Sequence, residues 1–442
     1  MMKKTDFLKR LTVLFLSSMS LIFQIVTFSI LWYTQYADSI QVYFYRKGHW
    51  LVIGIYAVLL FFFYQMYGAF KIGYLKTSEV LFSQIFATVI MTIISYAQIS
   101  LLIGWFANVT PLMIIFVVNI LTILIFTYVA HSFYRYCYPP RRLLLIHGDR
   151  EIDNILLKFR SRKEKYKIIK CMYYGDDSIY NEIDGGYDGV VIWDIPNANR
   201  NVLVKYCYGK SIRIYLMPKV TDVLVSGAEQ LHLFDTPILL LREYSLTIGQ
   251  RIIKRTLDLV VATLLVIITS PIMLLTAIAI KCYDKGPILY KQVRCTIYMK
   301  EFHIYKFRSM KVDAEKDGVA RLAAQNDDRI TPIGKFIRKV RIDELPQLFN
   351  IIKSEMTFIG PRPERPEIIE DYIKEMPEFV FRTKVKAGLA GYAQVYGKYN
   401  TTPYDKLKLD LFYIENYSMW MDIKLMMLTL KILLNTNSTE GV

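Results

Sequence analysis

The sequence predicts a membrane α plus α/β protein. Four N-terminal transmembrane helices lead to a Rossmann-like domain, then to a re-entrant helix-bend-helix and a mixed α/β domain. Three observations predict this. Four long apolar stretches fill the first third, near 11–33, 51–70, 79–105 and 111–130. Strand-length apolar runs separated by helical spacing follow, over 142–245. A fifth apolar stretch near 257–280 is interrupted by Ser270-Pro271, and the remainder is basic and dense in short motifs.

Composition agrees with a mixed chain. Of 442 residues, 53% are hydrophobic and 21% charged, too apolar for a wholly soluble chain and too charged for a membrane bundle alone. The net charge of +16 suits inside-positive loops and anionic headgroups. No helix-turn-helix, RNP or finger pattern appears, so no nucleic acid is expected as a partner. The five cysteines are scattered, with no CxxC or Cys/His spacing for a zinc site or a disulfide frame. Reduced, cytosol-facing domains are the simpler reading.

Each N-terminal stretch has about the twenty residues that a helix needs to span, and none reads as a short signal core. Basic residues orient them. Lys3, Lys4, Lys9 and Arg10 precede the first, Lys71 and Lys76 follow the second, and Arg135, Arg141 and Arg142 follow the fourth. The first outer loop has only Arg46 and Lys47, and the third loop has no cation. Positive-inside counting puts the N-terminus and residue 135 onward in the cytoplasm.

In residues 142–245, "RRLLLIHG" reads as a strand ending at Gly148 and "EIDNILLKFRSR" as a helix. "GVVIWDI" and "IRIYLMP" are continuous apolar runs, as buried parallel strands show. "HGDRE" is not G-x-G-x-x-G, so a degenerate Rossmann-like domain for assembly or regulation is expected rather than a dinucleotide site.

The stretch "TLLVIITSPIMLLTAIAI", 263–280, has spanning length, yet cations flank both ends: Arg251, Lys254 and Arg255 before, Lys281, Lys285, Lys291 and Arg294 after. Pro271 lacks a backbone N–H and kinks or breaks a helix, while Ser270 can serve a freed backbone group. Helix-bend-helix within one leaflet fits; a kinked spanning helix is the alternative.

Chemistry concentrates in 327–363. Asp343 and Glu344 stand among Arg329, Lys335, Arg338, Lys339, Arg341 and Arg362. Pro346 suits the first turn of a helix over 345–353, whose N-terminus favours anions such as phosphate. The same dyad can also be read as a capping pair beside a solvated basic face. A second cluster, "GPILYKQVR" then "YKFRSM", supplies Gln292, Arg294, Lys306 and Arg308. Lys306 and Arg308, two apart, would project from one strand face toward a diphosphate. An ordinary basic edge strand is the plain alternative.

From about 251 to 435 the chain resembles bacterial polyisoprenyl-phosphate sugar-1-phosphate transferases of the monotopic type. The matching pieces are "KRTLDLV", the Ser-Pro in an apolar hairpin, "GPILYKQVR", "YKFRSM", "DDRITPIGKFIR", "IDELPQLFN", "IGPRP", "GYAQV" and "LDLFYIENYSMWMDI". The whole layout is similar to the large members that start capsule, O-antigen or exopolysaccharide assembly.

The resemblance implies four parts: a transmembrane region 1–135, the Rossmann-like domain 142–245, a re-entrant hairpin 246–281 bent at Ser270 and Pro271, and a catalytic domain 282–442. It implies transfer of a sugar-1-phosphate from a UDP-sugar, UDP-glucose or UDP-galactose, to undecaprenyl phosphate with release of UMP. Asp343 would be the nucleophile. Glu344 would position Mg²⁺ or assist proton transfer, and both acids would face the metal. Lys306, Arg308, Arg338 and Arg362, with Gln292 and Arg294, would bind substrate phosphates. The implied setting is the lipid bilayer of the bacterial inner membrane, with the catalytic domain facing the cytoplasm and downstream glycosyltransferases as partners. A homodimer through the Rossmann-like unit is compatible. The competing functions are a membrane glycosyltransferase that releases UDP and a non-catalytic scaffold of polysaccharide assembly.

The chain departs from the family pattern in its loops. Thr296 and Met299 stand where glycines are usual, Ser354 also replaces a glycine, Ala387 a proline, Ala390 a threonine and Lys398 an arginine. These bear on sugar preference and on two loop paths. Last, "IKLMMLTLKILL", 423–434, is too short to span and reads as an interfacial amphipathic helix or a buried core helix.

Overall fold

A computed structural model of the chain describes residues 2–40, 46–241, 246–311, 329–397 and 401–433. The side chains of Lys3, Lys4, Arg10 and Arg46, and residues 327, 328, 398 and 434, all used above, lie outside the described set. The chain forms two compact units, Met1–Met217 and Pro218–Val442.

The first unit opens with four helices: α1 (Met2–Leu31), α2 (Arg46–Tyr67), α3 (Thr77–Ile103) and α4 (Thr110–Cys137). Each is long and apolar enough to cross a membrane by length and composition. Leucines, isoleucines and phenylalanines stay exposed along them, while polar side chains meet inside. Thr88 Oγ1 donates to Gln24 Oε1 at 3.0 Å, Thr127 Oγ1 to Gln84 Oε1 at 3.0 Å and Thr27 Oγ1 to Asn119 Oδ1 at 3.0 Å. In an apolar surround such bonds tie helices together where burial from water does not.

The same unit continues into β1 (Arg141–His147), α5 (Asp153–Arg160), β2 (Tyr166–Tyr173), α6 (Ile179–Ile183), β3 (Gly189–Trp193), α7 (Asn197–Gly209) and β4 (Ile214–Leu216). The four strands are parallel, in the order β2-β1-β3-β4. Both faces of the sheet are covered. Leu144, Ile146, Val190 and Ile192 enter one core; Leu143, Leu145 and Val191 enter the other. This is why the strands read as unbroken apolar runs. Gly148 serves the backbone: a Cβ there would lie 2.0 Å from the Asp194 carbonyl. The glycine lets the ends of β1 and β3 approach each other.

The Rossmann-like sheet ends at Leu216, so the expected range 142–245 is divided. Residues from Pro218 belong to the second unit, because Val220 and Val223 of α8 (Val220–Ser226) are buried in its core. A hairpin follows, β5 (Glu229–Leu233) with β6 (Thr236–Leu240), all of it exposed.

Next comes α9 (Ile248–Asp284), one helix of 37 residues with Pro271 inside. The chain stays helical through the proline, so the two halves on either side of Ser270-Pro271 are joined by a continuous helical run. Pro271 has no N–H for the carbonyl of Ile267, four residues back. The Ser270 hydroxyl donates to that same carbonyl at 2.8 Å, so it does not go unpaired. Lys254, Asp258, Ala262, Thr276 and Ile280 form a buried stripe, and the opposite face is apolar and exposed.

The rest of the unit is a compact mixture. β7 (Leu289–Cys295) pairs antiparallel with β8 (Glu301–Phe307). α10 (Pro332–Lys339), a 3₁₀ turn (Ile342–Glu344) and α11 (Gln347–Ile352) lead to β9 (Thr357–Ile359). After α12 (Pro366–Glu375) and a 3₁₀ segment (Pro377–Lys384), β10 (Gly388–Ala390) pairs parallel with β9. α13 (Tyr392–Tyr396), α14 (Pro403–Glu415) and α15 (Met419–Leu433) complete it. The expected helix over 345–353 is shorter, with Pro346 as its N-cap. α15 answers its two readings with a mixture: Asp422 and Leu425 are buried, while Trp420, Leu430 and Leu433 are exposed.

Candidate active site

The Asp343-Glu344 dyad sits in the 3₁₀ turn Ile342–Glu344, between α10 and α11. Arg341 opens that turn at φ 58°, in the left-handed region that a side chain adopts at some cost. The turn separates the two carboxylates into different surroundings.

Glu344 is ringed by cations. Its Oε1 lies 3.3 Å from Lys306 Nζ and 3.5 Å from Arg362 Nη2, and its Oε2 lies 3.6 Å from Arg341 Nη1. Burial works to raise its pKa, but Lys306, Arg362 and Arg341 outweigh it and hold the carboxyl down at about 2. Asp343 is buried and, among the described residues, makes no hydrogen bond or ion pair. Burial and the adjacent Glu344 charge push it up to about 6, with Lys306, Arg338 and Arg341 pulling the other way. The dyad therefore holds one firmly ionised, neutralised acid and one ionised at neutral pH but unengaged.

The strand hairpin delivers Lys306 to this point from β8, opposite Tyr290 of β7. Arg338, on the last turn of α10, donates Nε to Ser309 Oγ at 2.8 Å. The start of α10 is pressed against the chain at Ser309: a Cβ on Gly334 would lie 1.9 Å from the Ser309 carbonyl. Thr331 caps this helix, its hydroxyl accepting from Gly334 N at 2.9 Å.

Three expected phosphate ligands are placed elsewhere. Arg308 lies just beyond β8 and turns away from Lys306. Its guanidinium pairs with the Asp284 carboxylate at the end of α9, and Nε donates to the Pro287 carbonyl at 2.7 Å. The strand alternation that aligned it with Lys306 ends at Phe307. Arg308 thus holds the C-terminal end of α9. Gln292 and Arg294 bond each other, Arg294 Nη2 donating to Gln292 Oε1 at 2.6 Å. Arg294 Nη1 also lies 3.7 Å from Glu364 and donates to the Pro363 carbonyl at 3.2 Å.

Sequence reasoning missed the supporting charges. Glu364 is paired with Lys406 and lies 3.7 Å from Arg382, whose own Nη2 lies 2.7 Å from Asp410. Arg382 Nη2 also donates to the Arg362 carbonyl at 3.0 Å, fixing the backbone that carries Arg362. On α9, Lys254 Nζ lies 2.6 Å from Asp422 Oδ2 and donates to the Ile359 carbonyl at 2.8 Å. Asp258 accepts from Thr357 Oγ1 at 2.7 Å and Phe358 N at 3.0 Å. Arg255 donates to the carbonyls of Ile351 and Ile352 at 2.7 and 2.8 Å, capping α11 at the end away from the dyad. One signal was present: Lys254 and Asp258 are charges at helical spacing entering an apolar run.

The loop departures cluster. Met299 and Ser354 hold φ 60° and 69°, where glycine is unstrained. Thr296 Oγ1 donates to the Glu355 carbonyl at 2.9 Å and accepts from Ala387 N at 3.1 Å. Lys386 Nζ donates to Ser354 Oγ at 2.6 Å.

A divalent cation can be tested against these donors. Among the described residues no group of three or more His, Cys, Asp or Glu could hold a metal. Mg²⁺ needs less, because it binds through one or two carboxylates with water and substrate phosphates. The unengaged Asp343 carboxylate beside Glu344 fits that smaller demand.

Residues 249–436 match the family model described as "Bacterial sugar transferase". The chain is 36% identical over 231 residues to the UDP-N-acetylgalactosamine-undecaprenyl-phosphate N-acetylgalactosaminephosphotransferase of Aeromonas hydrophila, covering 52% of this chain and 54% of that one. It is 36% identical over 223 residues to the UDP-glucose:undecaprenyl-phosphate glucose-1-phosphate transferase of Escherichia coli K12, covering 49% and 47%. The chain thus spans about half the length of these relatives. It covers 71% of the UDP-glucose:undecaprenyl-phosphate glucose-1-phosphate transferase of Caulobacter vibrioides, at 37% identity over 190 residues. With the dyad, its cations and all but the first residue of α9 inside the matched segment, the chain belongs to the bacterial sugar transferase family.

Proposed function

We propose that the protein transfers a hexose-1-phosphate from a UDP-sugar, UDP-glucose or UDP-galactose, to undecaprenyl phosphate, as the first membrane step of an extracellular polysaccharide. The observation that carries this reading is the split dyad: Asp343 unengaged, Glu344 paired with three cations.

An Asp343 carboxylate oxygen attacks the β-phosphorus of the UDP-sugar. The bond from that phosphorus to the bridging oxygen breaks, and UMP leaves with the electron pair. The sugar-phosphate is then held on Asp343 as an acyl phosphate. An oxygen of undecaprenyl phosphate attacks the same phosphorus, the Asp343 carboxylate leaves, and the lipid diphosphate sugar forms. The difficulty is charge, since an anion approaches an anion. Lys306, Arg338, Arg341 and Arg362 face the two carboxylates, so the site stays net cationic and can stabilise the transferring phosphoryl group. Mg²⁺ would be held chiefly by the unengaged Asp343 carboxylate, with Glu344 beside it already paired with three cations, and would supply charge neutralisation on the diphosphate. Gln292 and Arg294 act as a second tier that supports the Arg362 segment.

The packing of α9 supports a membrane placement. Ala262 on its first half packs in the main core of the second unit, and Met273, Ala277 and Ile280 on its second half pack with Phe307, Ile337 and Ile342. Leu345, next to the dyad, touches both clusters. A helix that crossed the bilayer would carry these halves to opposite sides. Both halves resting on one body supports entry and exit by one leaflet, the cytoplasmic one of the inner membrane, where UDP-sugars are found. Downstream glycosyltransferases would take up the product, and a homodimer is compatible with this layout.

The test is purified full-length protein with undecaprenyl phosphate and a panel of UDP-sugars, scored for nucleotide product. UMP release with UDP-glucose or UDP-galactose, lost in Asp343→Asn, is expected. Release of UDP would identify a glycosyltransferase. Full turnover by Asp343→Asn would overturn the mechanism, and no turnover with any sugar would favour a scaffold.

A further inference from the structure

A cavity of about 200 Å³ opens where α3 begins and α4 ends, within the first unit. It is too small for a drug-sized molecule and ample for a polar head group. Leu75, His131 and Glu164 line it, with Lys76, Thr77 and Arg135. His131 is only 4% exposed. Its Nδ1 lies 3.0 Å from the Thr127 carbonyl, which can only accept. The neutral ring therefore keeps its hydrogen on Nδ1, and Nε2 is left as a lone pair. Nε2 faces the Leu75 carbonyl, a second acceptor, and among the described residues it makes no hydrogen bond. Glu164 supplies a third acceptor. Arg162 Nη1 stands 3.6 Å from its Oε1, too far for a hydrogen bond. Three acceptors thus line one cavity, and a buried acceptor without a donor costs stability. A second proton on His131 would serve Leu75, but would add a buried cation within reach of Arg135. The other charges on the wall are positive. Neither Lys76 nor Arg135 makes an ion pair among the described residues, and Arg135 Nε donates to the His131 carbonyl at 3.3 Å. These two disfavour a bare divalent cation. A ligand with an ammonium at one end and an anion at the other meets both sets.

We propose that this cavity binds the zwitterionic head of a phosphoethanolamine lipid. The primary ammonium has three N–H groups, one each for the Leu75 carbonyl, His131 Nε2 and the Glu164 carboxylate. The phosphate meets Lys76 and Arg135. A lipid is the source because α3 and α4 are both long and apolar enough to cross a membrane, and the cavity lies at their ends. Leu121, Leu124 and Tyr128 are exposed on α4, at helical spacing on the side that carries Arg135, and offer an acyl chain its path.

The experiment uses the full chain in neutral detergent, with native mass spectrometry to count retained lipid. Phosphatidylethanolamine is compared with phosphatidylcholine, a zwitterion whose quaternary nitrogen has no N–H, and with phosphatidylglycerol, which has no ammonium. Wild type retains phosphatidylethanolamine about ten-fold better than either, from the worth of a charge-assisted hydrogen bond. His131→Phe removes one acceptor and lowers that retention about ten-fold. Glu164→Ala, on an exposed turn, does the same and keeps the test open if the first variant misfolds. Arg135→Gln lowers it about five-fold. Each variant is checked by its elution in gel filtration. Equal retention of phosphatidylethanolamine and phosphatidylcholine, or a preference for phosphatidylglycerol, overturns the proposal. So does unchanged retention in the folded acceptor variants. Displacement of the lipid by soluble O-phosphoethanolamine at equal concentration would show that the acyl chains contribute nothing, and overturns a lipid as the source. UMP release, measured separately, reports on the dyad and is independent of this result.

Discussion

Lys306 Nζ lies 3.3 Å from Glu344 Oε1, yet the acid beside Glu344 in sequence, Asp343, makes no ion pair among the described residues. Two adjacent carboxylates are therefore held at opposite ends of the acid range, about 6 and about 2. A nucleophile must be ionised, so kcat/KM for UMP release should fall as pH drops through about 6. Lys306→Met removes a charge that favours the Asp343 anion, so the acid limb should move to higher pH. A limb that stays in place in this variant would separate Asp343 from the measured ionisation.

The same shift has a stability sign. The folded-state pKa of Asp343 lies above its ordinary value of 3.8, so the folded protein binds the proton more tightly. The contribution is favourable below about pH 4 and is lost as pH rises through about 6. At pH 7 the buried charge costs stability. Asp343→Asn should abolish turnover while raising stability at pH 7 by about 3 kcal/mol, read by denaturant unfolding of the full chain. Glu344 runs the other way, its stabilisation present above pH 4.5 and lost as pH falls toward about 2.

Ser270 and Pro271 should behave as a pair. Ser270→Ala leaves the Ile267 carbonyl without a donor and should cost about 1 kcal/mol. Pro271→Ala restores a backbone N–H for that carbonyl. In the double variant most of the Ser270→Ala loss should disappear. Thermal unfolding in detergent across the four-member cycle measures this coupling.

Thr296 and Ala387 should be coupled in the same manner. Ala387→Pro removes the N–H that Thr296 Oγ1 accepts, and Thr296→Gly removes the acceptor. Each single change should cost about 1–2 kcal/mol. The double variant, which restores the residues usual in the family, should cost less than the sum. Strict additivity in the unfolding midpoints would show that the bond does not matter.

Gly334→Ala should damage the site from a distance. Its new methyl would meet the Ser309 carbonyl, and α10 would have to shift. A loss of about 1–3 kcal/mol in stability is expected. The shift carries Arg338, so UMP release should fall even at temperatures where the variant remains folded. Comparing kcat with the unfolding curve checks this.

Much of the layout was legible in linear order because burial has a period. Stretches of spanning length, and parallel strands buried on both faces, announce themselves by uninterrupted apolar residues. The dyad was legible because two acids stood among many cations. Arg308 was misread for the opposite reason. A strand alternates its side chains only while it remains a strand, and β8 ends one residue before Arg308. Glu364, Arg382, Lys406 and Asp410 were not legible, since charges scattered over a long segment do not reveal which will be buried together.

The stretch around Ser270-Pro271 shows where the division falls. Composition alone establishes that it is apolar enough for a bilayer, that a proline interrupts its ladder, and that a serine stands ready beside it. Chain contacts far apart in sequence decide the rest. The helix does not break, because the Ser270 hydroxyl serves the carbonyl that Pro271 cannot reach. Its two halves meet one domain, because Ala262 and Ile280 lie on one buried stripe that only the folded partner surfaces can select. Local preference acts over a few residues, whereas charge pairing and packing join residues tens to more than a hundred apart, and those joins exist only in the tertiary structure.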